Sequence, residues 1–274
     1  MTPERMPTPK ELLAFYVEAG VDCALGEEPV DRLADDAPPP KPIASEPPPI
    51  ERSLPPASLP RPATAAAAVP PDAAMTSARE AARTARTLDE LRALLETFDG
   101  CALRFTASRL VFADGNPQAR LMFVGEAPGR DEDIAGLPFV GRSGQLLDRM
   151  IGAIGLDRTK VYIANIIPWR PPGNRTPTPQ ETQICLPFVR RQIELVNPDV
   201  LVCLGNPSTQ GILETKEGIT RTRGRWFDYD TGTRTIKAMP TFHPAYLLRT
   251  PISKKQAWQD LRAIRAALVA AGTN

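Results

Sequence analysis

The chain has 274 residues, with 33 Lys plus Arg against 32 Asp plus Glu, one His and four Cys, a length that accommodates one large domain or one domain with appendages. The net charge of +1 conceals a polarised chain: residues 1–75 carry six basic and twelve acidic side chains, residues 76–274 carry 27 and 20, and 17 of the 31 prolines lie in the first 75 positions. No apolar run approaches the roughly 18–20 residues that span a bilayer, the start MTPERMPTPK lacks the apolar centre of a signal peptide, and a cytoplasmic location is the default expectation. The cysteines Cys23, Cys101, Cys185 and Cys203 are scattered with no C-x-x-C pair, which indicates neither a disulfide framework nor a local zinc clip. A single histidine, His243, excludes a multi-histidine metal site.

In chain order, PKELLAFYVEAG from Pro9 predicts a short helix with Thr8 as N-cap, within an N-terminal helical segment of residues 1–36. Residues 37–75 are rich in Pro and Ala, cannot build a core, and are expected to form a disordered linker. The texture changes after Met75, and residues 76–274 are expected to form the principal domain. SAREAARTARTLDELRALLETF reads as helix, with Leu88, Leu91, Leu94, Leu95 and Phe98 in one stripe. Four β-type runs follow: RLMFVGE from Arg120, KVYIANII from Lys160, DVLVCLG from Asp199 and TIKAMPTF from Thr235. Helical patterns separate them at Ser143 to Ile154, Thr178 to Val196 and Asn206 to Leu213, and KKQAWQDLRAIRAALVAA closes the chain. Nearly all-apolar strands alternating with helices predict an α/β fold, three-layer αβα, around a central, mainly parallel four-stranded sheet. In such folds ligands bind beyond the carboxyl ends of the strands.

The unusual residues fall at those ends. The first strand runs into GEAPGRDEDIAGLPFVGRSGQLL, whose glycines expose backbone N–H groups and whose carboxylates Glu126, Asp131, Glu132 and Asp133 lie within eight residues of one another. GRSG then offers Ser143 at a helix start, suited to a phosphate. The second strand ends in Asn165, whose amide pairs a donor with an acceptor, and continues into WRPPGNRTPTP. The third ends in GNPS and the fourth in TFHPAYLLR, where His243 is placed to polarise a carbonyl oxygen. No G-x-x-x-x-G-K-[ST] or G-x-G-x-x-G string is present to support a nucleotide-binding reading.

In this order the strings GEAPGRDEDIAGLPFVGRSGQLLDRM, YIANIIPWRPPGNRTPTP, VCLGNPS and PTFHPAYLLR resemble the uracil-DNA glycosylase superfamily, most closely its family 4 type, over roughly Cys101 to Ala267. The resemblance implies a monofunctional DNA repair glycosylase that flips uracil, or another damaged base, out of DNA and hydrolyses the N-glycosidic bond. It implies that Glu132, His243 and Glu126 are catalytic: Glu132 positions water or stabilises a cationic sugar, and His243 faces the O2 of the departing base. It also implies that Phe139 stacks on the uracil, Asn165 bonds its Watson–Crick edge, and Ala127 and Asn174 complete the base pocket. Leu247 and Leu248 would fill the gap left by the flipped base. Ser143, Ser208 and Arg249 would hold phosphates, with Arg170 and Arg175 adding basic charge.

The family usually binds a [4Fe–4S] cluster through four cysteines. Here Cys101 and Cys185 match two of the ligand positions, Arg104 and Trp169 occupy the other two, and no cluster or other cofactor is expected. The expected partner is DNA containing uracil or other damaged bases, engaged by a monomer without a membrane. Two other readings remain at this point: a binder of uracil- or abasic-site DNA with little turnover, and a non-catalytic protein whose Pro-rich arm recruits partners.

Overall fold

A computed structural model of the chain describes residues 71–272. The expected N-terminal helix and most of the Pro/Ala-rich stretch lie outside the described residues. The end of that stretch needs correction, because the first described helix, α1, spans Pro71–Thr84 and takes in positions assigned to the linker. Nor does one helix run from Ser77 to Phe98. Thr87 stops α1 from continuing into α2 (Leu88–Thr97) by capping it: its hydroxyl accepts the Glu90 N–H at 3.2 Å, while the Glu90 carboxylate accepts the Arg86 N–H at 2.6 Å.

The sheet has six strands, not four: β1 (Ala113–Gly115), β2 (Leu121–Gly125), β3 (Tyr162–Asn165), β4 (Val200–Leu204), β5 (Phe227–Asp230) and β6 (Thr235–Thr241), in the order β1-β3-β2-β4-β6-β5. The four expected strands are the parallel centre, and the two missed ones are antiparallel edges. Neither edge carries an apolar run. β1 is ADG, and β5 is FDYD, whose two aspartates suit a strand poorly except where one face meets water.

Between the strands lie α3 (Arg130–Ala135), α4 (Arg142–Ala153), α5 (Pro179–Val196), α6 (Asn206–Leu213) and α7 (Ile219–Thr222), and after β6 come α8 (Pro244–Arg249) and α9 (Lys254–Ala271). α5 begins with a capping box in which Thr178 and Glu181 satisfy each other's backbone N–H groups, and it accommodates Pro187 in its interior.

Alternation along the buried strands divides the core. Met122 and Val124, Tyr162 and Ala164, and Leu201 and Cys203 face α1, α2 and α5. Leu121 and Phe123, Ile163, and Val200, Val202 and Leu204 face α4, α8 and α9. Every strand of the parallel centre is thus covered on both faces, which explains its continuous apolar runs. β2 is central, with β3 on one side and β4 on the other, so successive crossovers leave it in opposite directions. The loops diverge there and open a crevice at the carboxyl ends, where Gly125 is paired in register with Asn165, and Leu204 with Thr241.

Leu147 is fully buried in the layer that supports α4. Leu147→Ala is expected to destabilise the domain by about 2–5 kcal/mol, read from urea unfolding; an unchanged midpoint would show that this helix is not held by its core contacts.

Candidate active site at the carboxyl ends of the strands

The crevice is a cleft of about 610 Å³ whose wall includes Glu126, Ala127, Glu132, Phe139, Ser143, Asn165, Asn174, Arg175, His243 and Arg249. Four separate segments therefore deliver the expected residues to one place. The tightest constraint is at Gly125. A Cβ there would lie 2.4 Å from the Asn165 Oδ1 and 2.6 Å from the Phe139 ring, so only glycine lets both side chains close over the end of β2. Asn165 Oδ1 is buried and has no hydrogen-bond partner among the described residues. A buried acceptor left in this state costs about 1–3 kcal/mol, which a ligand donor would recover.

Phe139 is buried with φ of 54°, a backbone conformation unusual for an aromatic residue. Three devices hold it. Gly144 lies so close beneath it that a Cβ would fall 1.7 Å from the Phe139 carbonyl oxygen. Glu132 accepts the N–H groups of Val140 and Gly141 at 3.0 and 2.9 Å, and that of Gly129 at 3.1 Å. Arg158 donates to the Phe139 and Pro138 carbonyls while pairing with Asp114 at 2.6 Å and Asp148 at 2.7 Å. Sequence reasoning missed Arg158, which lies in a short 3₁₀ turn between the first two motif strings and belongs to neither.

The Phe139 and His243 rings lie 5.5 Å apart, centre to centre, and are tilted by 31°. His243 is the N-cap of α8, and its Nδ1 accepts the Ala245 N–H at 3.1 Å. That bond places the ring proton on Nε2. Burial, aided by the nearby Arg249 charge, depresses the imidazole to about 4, so it is neutral at ordinary pH. Glu126 is half-buried, its carboxylate accepts no hydrogen bond from the described residues, and it is pushed upward from the usual carboxylate range by desolvation.

Other expectations are redirected. Ser208 is buried, and its hydroxyl donates to the Leu204 and Gly205 carbonyls, so it is not available to a phosphate. Leu247 is 1% exposed and packs in the core, whereas Leu248 is 38% exposed. Arg170 spans Asp133, at 4.0 Å, and the Asn174 Oδ1, at 2.7 Å, and so fixes the PPGN turn. Arg175 is paired with both carboxylate oxygens of Glu181 at 2.9 and 2.6 Å.

The family model described as the uracil DNA glycosylase superfamily matches residues 112–262, more than half of the chain. The chain belongs to that superfamily. Among its relatives, a type-4 uracil-DNA glycosylase of Thermotoga maritima is 45% identical over 150 residues, which are 54% of this chain and 77% of the relative. One from Archaeoglobus fulgidus is 38% identical over 182 residues, 65% of this chain and 92% of the relative. One from Saccharolobus solfataricus is 39% identical over 173 residues, 61% of this chain and 80% of the relative.

The cluster implied by the superfamily's family 4 type can be tested against the residues present. Cys101 and Cys185 are buried with their Sγ atoms 3.9 Å apart, and the Cys185 thiol donates to Cys101. That bond lowers the Cys101 thiol below the ordinary range and raises Cys185 above it. Trp169 is buried, and Arg104 turns outward to donate to the Glu96 carbonyl at 2.6 Å. Among the described residues no three His, Cys, Asp or Glu side chains converge on a metal position. Two thiols do not fit a four-thiolate cluster. Cys203 offers no replacement, since burial within β4 pushes it up to about 12.

Arg158→Met is expected to lower unfolding stability by about 1–3 kcal/mol through loss of charge-assisted bonds to the Phe139 segment. Arg158→Lys should recover only part of it, because one ammonium cannot reproduce the guanidinium fork. Wild-type denaturation midpoints in both variants would remove the role given to Arg158.

Proposed function

We propose that the protein is a monofunctional uracil-DNA glycosylase, acting on a deoxyuridine flipped from DNA and leaving an abasic site. The observation that carries the reading is Asn165: a buried amide oxygen without a partner among the described residues, beside an aromatic ring in the wall of the cleft, where a base flipped out of the stack could reach it. Phe139 supplies the stacking surface. Asn165 accepts from N3–H of uracil through Oδ1 and donates to O4 through its amide nitrogen, a pairing that the exocyclic amino group of cytosine would reverse. Ala127 and Asn174 line the same cleft and bound the base.

In the reaction the C1′–N1 bond breaks, uracil departs as an anion later protonated by solvent, and water adds its oxygen to C1′ with loss of a proton. His243 contributes as a neutral donor, its Nε2–H aimed at O2, where negative charge grows as the bond lengthens. The low imidazole pKa suits this task because the ring neither competes for a proton nor changes its tautomer near neutrality. Of the two carboxylates, Glu126 is the one free to hold the attacking water and offset positive charge on the sugar. Glu132 acts instead as a positioning residue, since its oxygens are taken up by the backbone around Phe139.

We propose further that this member works without an iron–sulfur cluster. The mutual hydrogen bond of Cys101 and Cys185 and the buried Trp169 ring support packing in place of a cofactor. The substrate is DNA. Among the described residues, no helix is long and apolar enough to cross a membrane.

Incubation with an oligonucleotide carrying one uracil, followed by alkaline cleavage, should give a strand break; an intact strand under enzyme excess would reject the activity. His243→Ala should slow single-turnover excision by roughly 10²–10³, and a wild-type rate would reject its role. His243 also links stability to pH. Its folded value of about 4 lies below the ordinary imidazole value of 6.5, so the unfolded chain binds the extra proton between them. Stability should fall as pH drops from about 6.5 towards 4, and less so in His243→Gln; equal losses in both proteins would contradict this linkage. Purified protein should contain no stoichiometric iron and no broad visible absorbance, and about four irons per chain would overturn the cluster-free reading.

A further inference from the structure

Beside the base cleft runs a second groove of about 550 Å³, and the two share Gly129, Glu132, Ser143, Asn174, Ala245 and Arg249 in their walls. Its remaining lining includes Arg130, Arg142 and Leu248. Arg130 opens α3, Arg142 opens α4 and Arg249 ends α8, so three separate elements each contribute one exposed guanidinium. None of the three has an ion pair among the described residues. Arg158, Arg170, Arg175 and Arg223 are paired with carboxylates, while Arg109, Arg149 and Arg221 likewise have no ion pair among the described residues, so what sets the three apart is their convergence on one groove.

The placement of Arg130 and Arg142 also runs against local stability. Each occupies the first position of its helix, where the helix dipole disfavours a cation and an acidic side chain would be preferred. Residues that break a local rule without a folding gain mark functional positions. Carboxylates do not cancel the charge. Glu132 is turned onto three backbone N–H groups, and Asp131 is the one exposed carboxylate in the lining.

We propose that Arg130, Arg142 and Arg249 form a phosphate-binding rail, which holds phosphodiesters of the strand that carries the flipped nucleotide. The proposal rests on the glycosylase reading for its choice of ligand and adds Arg130 and Arg142 to Arg249, which the resemblance already assigned to a phosphate. The groove is continuous with the cleft, so a nucleotide seated in the cleft leaves its own strand lying along the rail. Leu248, on the same rim, is placed to enter the space vacated in the stack. The rail takes over the positioning expected of Arg170, Arg175 and Ser208, whose polar atoms are engaged within the protein.

Each phosphate contact contributes about −0.9 to the slope of log K against log salt for duplex DNA. The test compares wild type, Arg130→Gln/Arg142→Gln and a control, Arg262→Gln/Arg265→Gln, which removes the same charge from exposed positions on α9. Binding is titrated by anisotropy over a salt series, on a duplex containing one tetrahydrofuran abasic analogue and on the same duplex unmodified. The rail variant should lose close to two slope contributions, about 1.8 in all, and the control much less. An unchanged slope, or an equal loss in the control, would overturn the rail while a wild-type enzyme that still cuts uracil leaves the activity standing. A wild type that fails to cut would reject the activity, and the slopes on plain duplex would still decide the rail.

Discussion

The site is organised by a missing side chain. At the carboxyl end of β2, Gly125 gives up its own volume to the Asn165 amide and the edge of the Phe139 ring, which approach closer than any Cβ would allow. Register does part of the rest: Gly125 is paired with Asn165, so the amide stands level with the end of β2 and beside the Phe139 ring. Phe139 reaches this point only by adopting a positive φ, and that conformation needs support from outside its own segment. Arg158, Glu132 and Gly144 provide it from three directions.

This arrangement separates two kinds of carboxylate that look equivalent as letters in one motif. Glu132 is fully committed to backbone N–H groups and builds the loop, while Glu126 keeps a half-buried, unbonded carboxylate facing the cleft. A similar separation applies to arginine. Those that hold turns together are paired, and those on the groove beside the cleft have no ion pair among the described residues. The cysteine pair lies in the apolar layer, where the Cys185 thiol donates a hydrogen bond to Cys101 and Trp169 belongs to the same buried cluster.

Much of this was legible in the sequence. The four central strands announced themselves because burial on both faces demands unbroken apolar runs, and His243, Asn165 and Phe139 stood at motif positions that converge in the structure. What escaped was whatever depended on a partner distant along the chain. β1 is three residues of weak propensity that become a strand only beside β3. Arg158 has no local signature, because its four acceptors come from β1, α4 and the turn before it. Ser208 and Leu247 followed motif position into a DNA-binding role, yet their side chains point inward, a matter of helix phase that a motif does not encode. The break at Thr87 was readable in principle, from a threonine followed three residues later by glutamate.

The alanines of α1 carry a consequence for what counts as the folding unit. Ala74, Ala78 and Ala82, with Ala85 just beyond, are buried against the apolar layer that contains α5, and Arg191 of α5 grips the Ala85 carbonyl at 2.9 and 2.8 Å. The superfamily match begins only at residue 112, after both α1 and α2. A chain cut where the recognisable motifs begin would therefore leave α5 on the sheet but remove the two helices packed on α5, baring Phe188 and its neighbours to water. The smallest autonomous body reaches back at least to Pro71, so heredity of the catalytic motifs and integrity of the fold have different borders.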